Sequence, residues 1–274
     1  MYNSRPYVLS IAGFDPSGGA GVLADVKTFE QNNVTGMGIV SALTYQNDIE
    51  FEKVEWLKLS EIIGQVEVLQ KRFQFEYIKI GLIENLEILN ELISYFIKTP
   101  NSPPERMNSF IRAGRLPTPR LIWDPILRAS AGFEFHTDVN KELLENICKQ
   151  LFLITPNVPE ALILGTYNDA EKNAKYLSQF CNVYFKGGHN EEKRGIDILF
   201  TTDGKQIEFV SEAKNVFPKH GSGCVLSSAI TAGLANDLNL VDACAGGKKY
   251  ITDFLKSNDS LLGFHSNSIT VEHG

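Results

Sequence analysis

A buried strand, a glycine-rich turn and a helix follow one another in residues 7–29, which read YVLSIAGFDPSGGAGVLADVKTF. The apolar run at residues 7–12 predicts a strand that is covered on both faces of its sheet. Residues 19–33 place apolar side chains at helical spacing and end in a polar cluster, which predicts a helix. This arrangement is the repeating unit of an α/β protein with parallel strands.

The same alternation continues along the chain. Further strands are predicted at residues 38–45, 77–80, 121–123, 151–154 and 183–185. Helices are predicted after an N-cap at Ser60, at residues 86–97, and as a pair within residues 223–255. Asp203-Gly204 predicts a hairpin turn between strands at residues 196–200 and 206–210. Repeated units of this kind predict a three-layer α/β/α fold, in which helices flank a mostly parallel central sheet.

One domain is expected for the whole chain, residues 1–274, because α/β folds of about 250 residues commonly share a single core. Residues 99–119 interrupt the alternation with five prolines and several basic residues, a composition typical of a linker. The alternation of strands and helices resumes unchanged after this segment. The segment is therefore predicted to be a surface insertion within one domain.

The charge balance is acidic, with 26 lysines and arginines against 33 aspartates and glutamates and a formal net charge of −7. Such a chain is not built to coat nucleic acid or an anionic membrane, although a local nest of N–H groups can still bind phosphate. The four cysteines include no CxxC pair, and no apolar run approaches the roughly 18 residues of a membrane span. The N-terminus also lacks a signal-peptide pattern. We therefore expect a reduced, cytoplasmic protein without nucleic-acid or membrane partners.

The first glycine-rich turn holds Gly18, Gly19 and Gly21 within four residues. Glycines at this density allow the backbone to approach a bound ligand, or simply let a helix pack closely. Gly19-x-Gly21-x-x-Ala24 formally matches the dinucleotide-binding fingerprint of dehydrogenases, but six residues separate the predicted strand from it. The position about 20 residues further on is Ile39, where that fingerprint needs an acidic residue to hold a ribose. A dehydrogenase is therefore the weaker interpretation of this turn.

A second glycine-rich segment reads HGSGC at residues 220–224 and leads into a predicted helix. The first N–H groups of a helix have no partner within it, and together with the helix dipole they form a hole for an anion such as phosphate. Cys224 is expected at this terminus, where the pKa of a thiol falls and the sulfur can serve as a base. A buried and inert cysteine is the alternative.

Charged side chains follow the ends of predicted strands. Asp124, Glu160 and Lys186 each come shortly after such an end, where an open parallel sheet binds its ligands. Two carboxylates suit Mg²⁺, which takes few protein ligands and keeps its waters, and a lysine can meet a phosphate. Each motif also has a structural interpretation, because Asn157 and Glu160 together match a capping box and KGGH at residues 186–189 could be a solvated turn.

In this order the motifs resemble the ribokinase superfamily, and specifically its branch of hydroxymethylpyrimidine and phosphomethylpyrimidine kinases of thiamin biosynthesis. The resemblance covers residues 8–255 apart from the insertion. It is carried by AGFDPSGGAGVLADVKTF (12–29), SALTYQN (41–47), KIGL (79–82), DPIL with ASAG (124–127 and 129–132), TPNVPEA (155–161), FKGGH (185–189) and HGSGCVLSSAI (220–230). Most ribokinase relatives carry an acidic base where this sequence has Cys224, so the GSGC form narrows the match to the vitamin kinases.

The resemblance implies transfer of the γ-phosphoryl group of ATP to the hydroxymethyl group of 4-amino-5-hydroxymethyl-2-methylpyrimidine, and then to its monophosphate. ATP and Mg²⁺ are implied as cofactors, and relatives in this family are often homodimers. The implied catalytic residues are Cys224 as the base, Lys186 at the transferred phosphate, and Gly221, Ser222 and Gly223 in the anion hole. The residues implied to hold Mg²⁺, partly through water, are Asp124, Asn157 and Glu160. The residues implied to line the pyrimidine site are Gly13, Asp25, Gln46, Leu82 and Ile126.

Some positions depart from the family pattern. Phe14 stands where relatives usually have a small residue, and Leu82 stands where they often have a methionine over the pyrimidine. Lys219 replaces the usual threonine and is expected to add a cation beside the anion hole. Pyridoxal and pyridoxine kinases share the fold and the mechanism, so a vitamin B6 substrate is the alternative. A pyrimidine-binding regulator without catalysis is a further alternative, against which the intact carboxylates, lysine and cysteine argue.

Overall fold

The computed structural model describes residues 5–98, 118–127, 139–187, 195–211, 213 and 215–266. Its strands are β1 (Tyr7–Phe14), β2 (Thr35–Gln46), β3 (Phe51–Trp56), β4 (Tyr77–Ile80), β5 (Arg120–Trp123), β6 (Leu153–Ile154), β7 (Asn182–Phe185), β8 (Ile196–Phe200) and β9 (Gln206–Val210). Its helices are α1 (Gly21–Gln31), α2 (Leu59–Gln70), α3 (Leu86–Lys98), α4 (Lys141–Cys148), α5 (Val158–Leu164), α6 (Ala170–Leu177), α7 (Ser222–Ala235) and α8 (Leu240–Lys256). No helix in these ranges is long and apolar enough to cross a membrane.

The strands of the described ranges form one nine-stranded sheet in the order β3-β2-β1-β4-β5-β6-β7-β8-β9. The neighbours from β2 to β7 all pair in parallel. Antiparallel pairs occur only toward the two sides of this sheet, between β2 and β3 and between β8 and each of its neighbours. The prediction of a mostly parallel sheet is therefore confirmed.

Each face of the sheet has its own apolar core. Successive strand residues point to opposite faces, so Leu9 and Ile11 join one buried cluster while Val8 joins the other. The first cluster includes buried side chains from α2 to α6, and the second includes those of α1, α7 and α8. The predicted three-layer arrangement is confirmed, and it places α1 and α7 on the same face.

The element boundaries agree best with the prediction in β4, β8 and β9, which have the predicted bounds. The N-cap prediction at Ser60 is wrong, because α2 begins at Leu59 after an N-cap at Lys58. The backbone N–H of Lys58 donates to the Glu61 carboxylate at 2.7 Å. A glutamate three residues into the helix thus supports its start, with Ser60 already inside the first turn.

Strand β3 has no counterpart in the sequence prediction. It is an edge strand with three charged residues among its six positions, so its apolar alternation is weak. The proline-rich segment at residues 99–119 lies outside the described residues except for its last two positions. Its assignment as a surface insertion therefore stays a prediction.

The carboxyl ends of the parallel strands bring the candidate residues to one edge of the sheet. Strand β5 ends immediately before Asp124, and β7 ends immediately before Lys186. An isolated parallel bridge pairs Lys186 with Asn157, which follows β6. The loop before α7 supplies the remaining part of this edge.

Candidate active site

An ammonium group between two carboxylates forms the centre of the site. Nζ of Lys186 lies 2.8 Å from Oδ1 of Asp124 and 3.6 Å from Oε2 of Glu160. The three side chains are 10%, 1% and 8% exposed, so water is largely excluded from their interactions. The sheet thus brings together three residues that the sequence places on separate strand ends.

The protonation states within this cluster depend on one another. Burial alone would lower the pKa of Lys186, but Asp124 and Glu160 outweigh burial and raise that pKa above its usual value. Burial raises the pKa of Asp124, yet Lys186 and Lys79 more than compensate and hold it below its usual value. Burial raises the pKa of Glu160 to about 7, with Lys186 acting against the increase and Asp124 adding to it. The cluster therefore holds a stable cation, a stable anion and a carboxyl group that an additional cation would help to ionise.

Two hydroxyl groups that the sequence analysis missed orient Asp124. Oγ1 of Thr155 donates to its Oδ1 at 2.8 Å, and Oγ of Ser227 donates to its Oδ2 at 3.2 Å. Thr155 directly follows β6, and Ser227 lies three residues after Cys224 in α7. The position of Thr155 at a strand end could have placed it at the site. The helical spacing of Ser227 from Cys224 could have placed it on the same face of α7. Together with Lys186, the hydroxyls fix the direction of the carboxylate.

A capping box starts α5, as one interpretation of the sequence predicted. Oδ1 of Asn157 accepts from the backbone N–H of Glu160 at 2.9 Å, and Oε2 of Glu160 accepts from the N–H of Asn157 at 2.8 Å. Oε2 of Glu160 is also the oxygen nearest Lys186. The cap therefore orients Glu160 toward the cluster, while a metal-binding role of Asn157 stays a prediction.

The second glycine-rich segment brings the N-terminus of α7 to the cluster. Gly221 is the N-cap, with φ of 70°, and a Cβ there would lie 2.1 Å from the carbonyl oxygen of Gly19. Only glycine therefore fits at this position. A Cβ on Gly223 would lie 3.3 Å from Nζ of Lys186, so the first turn of α7, which begins at Ser222, faces the same space as the ammonium group. The positive end of the helix dipole and a lysine thus converge on one place.

Cys224 lies in this first turn and is 5% exposed. Burial raises the pKa of its thiol to about 12, although Lys79 and the backbone N–H of Gly21 act in the opposite direction. The carboxylates of Asp124 and Asp25 add to the increase. The expectation that the pKa falls at this helix terminus is therefore wrong, because desolvation of the thiolate outweighs the favourable charges.

Three of the residues implied for substrate binding form an apolar wall at the same edge. A Cβ on Gly13 would lie 3.0 Å from Cδ2 of Leu82, so these two residues are neighbours. A Cβ on Gly81 would lie 3.7 Å from Cδ1 of Ile126, which places Ile126 beside the residue that precedes Leu82. The wall is therefore assembled from the ends of β1, β4 and β5.

Gln46 ends β2 and is tied to the first glycine-rich turn. Its Nε2 donates to Oγ1 of Thr44 at 2.8 Å, and Oγ1 of Thr44 donates to the carbonyl oxygen of Phe14 at 2.7 Å. Cγ2 of Thr44 also lies 3.5 Å from where a Cβ of Gly13 would be. A carboxamide therefore stands close to the apolar wall.

Asp25, which the resemblance implies for the pyrimidine site, makes a set of buried polar interactions. Its Oδ1 accepts from Nζ of Lys79 at 2.6 Å and from Oγ of Ser228 at 2.7 Å, and its Oδ2 accepts from Oγ of Ser10 at 2.6 Å. The Asp25 side chain has no exposed area, and its contact with a pyrimidine stays a prediction. It joins α1, β1, β4 and α7 behind the apolar wall.

Lys219 also differs from expectation, because its ammonium group does not face the anion hole. Nζ donates to the carbonyl oxygens of Asn258 and Ser260, both at 2.6 Å. These bonds direct the side chain to the turn after α8. Gly188 and His189 of the KGGH motif lie outside the described residues.

The fold is of the ribokinase-like α/β/α type, and its mostly parallel sheet places a lysine and two carboxylates against a glycine-rich helix N-terminus, which suits a phosphotransferase. Over residues 15–269 the chain matches the family model described as Phosphomethylpyrimidine kinase, and it belongs to that family. The family membership confirms the predicted resemblance and the enzyme class.

Three relatives show the extent of the similarity. The hydroxymethylpyrimidine/phosphomethylpyrimidine kinase of Aquifex aeolicus (strain VF5) is 33% identical, over 92% of this chain and 95% of that protein. The crystal structure of phosphomethylpyrimidine kinase from Clostridium difficile 630 is 30% identical with a TM-score of 0.70, and the match covers 91% and 99% of the two chains. The pyridoxal kinase of Staphylococcus aureus in complex with AMP-PCP and pyridoxal shares the fold, with a TM-score of 0.72, 23% identity and coverage of 93% and 89%. Membership of the kinase family supports the use of ATP as the phosphoryl donor.

Proposed function

We propose that this protein phosphorylates the hydroxymethyl group of 4-amino-5-hydroxymethyl-2-methylpyrimidine and then phosphorylates the resulting monophosphate, with ATP as the donor. The observation that supports the reaction most directly is the position of Lys186, between Asp124 and Glu160 and beside the first turn of α7. Phosphoryl transfer needs positioning and charge neutralisation more than covalent catalysis. The cluster and the helix terminus supply both.

The transferred phosphate is proposed to bind between Lys186 and the N-terminus of α7. The N–H groups of Ser222, Gly223 and Cys224 lie in the first turn, where a helix has no partners of its own for them. These N–H groups and the ammonium nitrogen would donate to oxygens that gain negative charge as the reaction proceeds. Glycine at position 223 leaves room for the phosphate to approach Lys186.

Asp124 and Glu160 are proposed to hold Mg²⁺, with Asn157 contributing through the cap that orients Glu160. Mg²⁺ in kinases commonly binds to one or two carboxylates together with water and substrate phosphates, and this pair of buried carboxylates fits that requirement. The raised pKa of Glu160, about 7, also indicates a site where an added cation is stabilising. When bound, Mg²⁺ would neutralise charge on the phosphate oxygens of ATP.

Cys224 is proposed to be the base that accepts the proton of the substrate hydroxyl. As the oxygen forms its bond to the γ-phosphorus, the bond to the β-phosphate oxygen breaks and the hydroxyl proton moves to Sγ. Only the thiolate can accept this proton, and the buried cation of Lys79 favours the thiolate. Lys79 thus offsets part of the increase in pKa that burial causes.

The pyrimidine ring is proposed to lie against the apolar wall of Gly13, Leu82 and Ile126. Gln46 offers a donor and an acceptor, which match a ring nitrogen and the exocyclic amine of an aminopyrimidine. Asp25 is proposed to support this pocket through its bonds to Lys79 and the neighbouring serines. It acts from behind the wall rather than by contact with the ring.

The substrate is tested by measuring ADP release with Mg-ATP and three phosphoryl acceptors: the hydroxymethylpyrimidine, its monophosphate and pyridoxal. We expect turnover of both pyrimidines, with kcat/KM about tenfold or more above that for pyridoxal. Turnover of pyridoxal alone would favour a vitamin B6 kinase. Binding of the pyrimidine by calorimetry without any ADP release would favour a regulator that has lost catalysis.

A further inference from the structure

Asp15 and His220 join the two glycine-rich loops of the site. Nε2 of His220 lies 2.8 Å from Oδ2 of Asp15, although 205 residues separate them. The side chains are 4% and 1% exposed, so solvent hardly competes for this interaction. We refer to residues 15–20 as the first loop and to residues 219–223, which include the first two residues of α7, as the second loop. The hydrogen bond links the two loops directly.

The carboxylate of Asp15 also determines the shape of the first loop. Its Oδ1 accepts from the backbone N–H of Ser17 at 2.9 Å. Its Oδ2 accepts from Oγ of Ser17 at 2.9 Å and from the N–H of Ala20 at 2.8 Å. Ala20 is the N-cap of α1 and has no side-chain cap of its own, so Asp15 supplies an acceptor at that helix start. Movement of Asp15 would therefore change the loop from β1 to α1.

His220 connects this loop directly to the anion hole. It immediately precedes Gly221, the N-cap of α7, and its backbone N–H donates to the carbonyl oxygen of Leu261 at 2.9 Å. A Cβ on Gly19 would lie 2.7 Å from Cδ2 of His220, so the imidazole is packed against the backbone of the first loop. A displacement of either loop is therefore transmitted to the other through close contact.

The charge state of Asp15 strengthens the connection. Burial raises the pKa of this carboxyl, but hydrogen bonds from His220, Ser17 and Ala20 outweigh burial and hold the pKa below its usual value. Asp15 is therefore an anion, and Nε2 of His220 must carry the proton that it donates. Hydrogen bonds to an ionised acceptor are stronger than those between neutral groups.

We propose that Asp15 and His220 are a positioning pair that couples the two loops, so that phosphate binding at the second loop orders the first loop. Ordering would pass from the N-terminus of α7 to His220, then to Asp15, and from Asp15 to Ser17 and Ala20. This inference rests on the proposed function in one respect, namely that the pyrimidine alcohol binds next to the first loop. By linkage, ordering of the first loop by the alcohol would favour nucleotide binding to the same extent.

Hydrogen exchange of the full chain, with and without AMP-PCP and Mg²⁺, tests the coupling. In the unmodified protein we expect the nucleotide analogue to slow exchange in peptides that cover residues 13–21 as well as residues 220–226. In His220→Leu the analogue should slow exchange only in the peptides that cover residues 220–226. His220→Gln, whose amide can donate near the place of Nε2, should restore the response of the first loop.

Kinetics supply a second measurement of the same pair. We expect His220→Leu to lower kcat about tenfold or more while the Kd for AMP-PCP changes less than about threefold, because misalignment affects the reaction more than nucleotide binding. Lys219→Met is the matched control, since Lys219 is equally buried in the same loop but bonds to Asn258 and Ser260. This variant should lower stability and keep the response of the first loop to the nucleotide. His220→Asn replaces the leucine variant if the latter does not fold.

Two results would overturn the inference. One is an equal response of the first loop to AMP-PCP in the unmodified protein and in His220→Leu. The other is a lack of any response in the unmodified protein at saturating nucleotide. The exchange experiment does not involve the alcohol, so failure to phosphorylate the pyrimidine would contradict the proposed function without deciding the coupling.

Discussion

Nζ of Lys79 lies 2.6 Å from Oδ1 of Asp25, and neither side chain has any exposed area. Two charges are thus buried in the layer between the sheet and the helices α1 and α7. Ser10 and Ser228 donate to the same carboxylate, so its oxygens have partners on β1, β4 and α7. Asp25 lies on α1 and Ser228 on α7, so their hydrogen bond connects the two helices that follow the glycine-rich loops.

Breaking the buried pair should destabilise the protein strongly. Lys79→Met leaves a carboxylate buried without its cation, and loss of one partner of such a pair costs about 3–5 kcal/mol. Urea unfolding followed by circular dichroism measures this loss. The double variant Lys79→Met with Asp25→Leu should lose less than the sum of the two single variants, since no charge is left unpaired. Single variants that lose under about 1 kcal/mol would show that the pair is not a structural requirement.

Lys186→Met should abolish most of the activity and also lower the stability of the fold, since Asp124 and Glu160 lose their buried cation. The methionine fills a similar volume but cannot neutralise charge on the transferred phosphate, and removal of one such group typically lowers kcat by about 10²–10³-fold. ADP release with the pyrimidine alcohol measures the effect. Lys205→Met is the control, because Lys205 is 70% exposed and pairs with Asp203 on the hairpin turn between β8 and β9. A similar kcat in both variants would exclude Lys186 from catalysis.

Cys224 should give the reaction a distinctive dependence on pH. The pKa of the thiol in the free protein is about 12, and the thiolate that accepts the proton becomes more abundant as pH rises toward that value. We expect kcat/KM to keep rising between about pH 7 and pH 10 when ATP is below its KM, since this parameter reports the free enzyme. Cys224→Asp should flatten the upper part of the profile, because a carboxyl group at this position ionises at a lower pH than the thiol even though burial raises its pKa. A plateau near neutral pH in the unmodified protein would contradict Cys224 as the base.

Cys224→Ala separates the chemical role of the thiol from its packing. Loss of a general base lowers kcat by about 10²-fold or more, whereas the smaller alanine side chain still occupies the first turn of α7. The Kd for AMP-PCP should stay close to that of the unmodified protein. An unchanged kcat would mean that Cys224 only shapes the start of the helix.

Gly221→Ala should disrupt the anion hole for a steric reason. A Cβ at this position would lie 2.1 Å from the carbonyl oxygen of Gly19, in addition to the strain of φ at 70°. Gly204→Ala is a matched control, with φ of 84° and no atom within 4 Å of its Cβ. We expect Gly204→Ala to lose about 1–2 kcal/mol of stability from the backbone alone. Gly221→Ala should lose more and should also lose nucleotide binding, and equal effects in the two variants would contradict the steric argument.

Much of the fold could be predicted from local patterns. Strand β4 and the hairpin of β8 and β9 have the predicted bounds, because apolar runs and Asp-Gly turns act over a few residues. Strand β3 could not be predicted, since its charged edge positions hide its apolar alternation. The cap of α2 was misplaced by two residues because Glu61 rather than a serine supports the helix start.

The residues of the candidate site also fall into those that could be predicted from the sequence and those that could not. The residues at strand ends, such as Asp124 and Lys186, follow from the rule that parallel strands present their carboxyl ends at one edge. The interactions of Asp25 with Lys79 and of Asp15 with His220 could not be predicted. They join positions 54 and 205 residues apart, and only the order of the strands in the sheet brings those positions together.

The sequence by itself determined the alternation of strands and helices, the two glycine-rich loops and the identity of the charged groups at the sheet edge. Those features depend on short-range periodicity and on the special backbone freedom of glycine. Only the tertiary structure decided the direction in which the pKa of Cys224 shifts and which buried charges are paired. Desolvation and long-range hydrogen bonding depend on everything packed around a group, which neighbours in the sequence do not reveal.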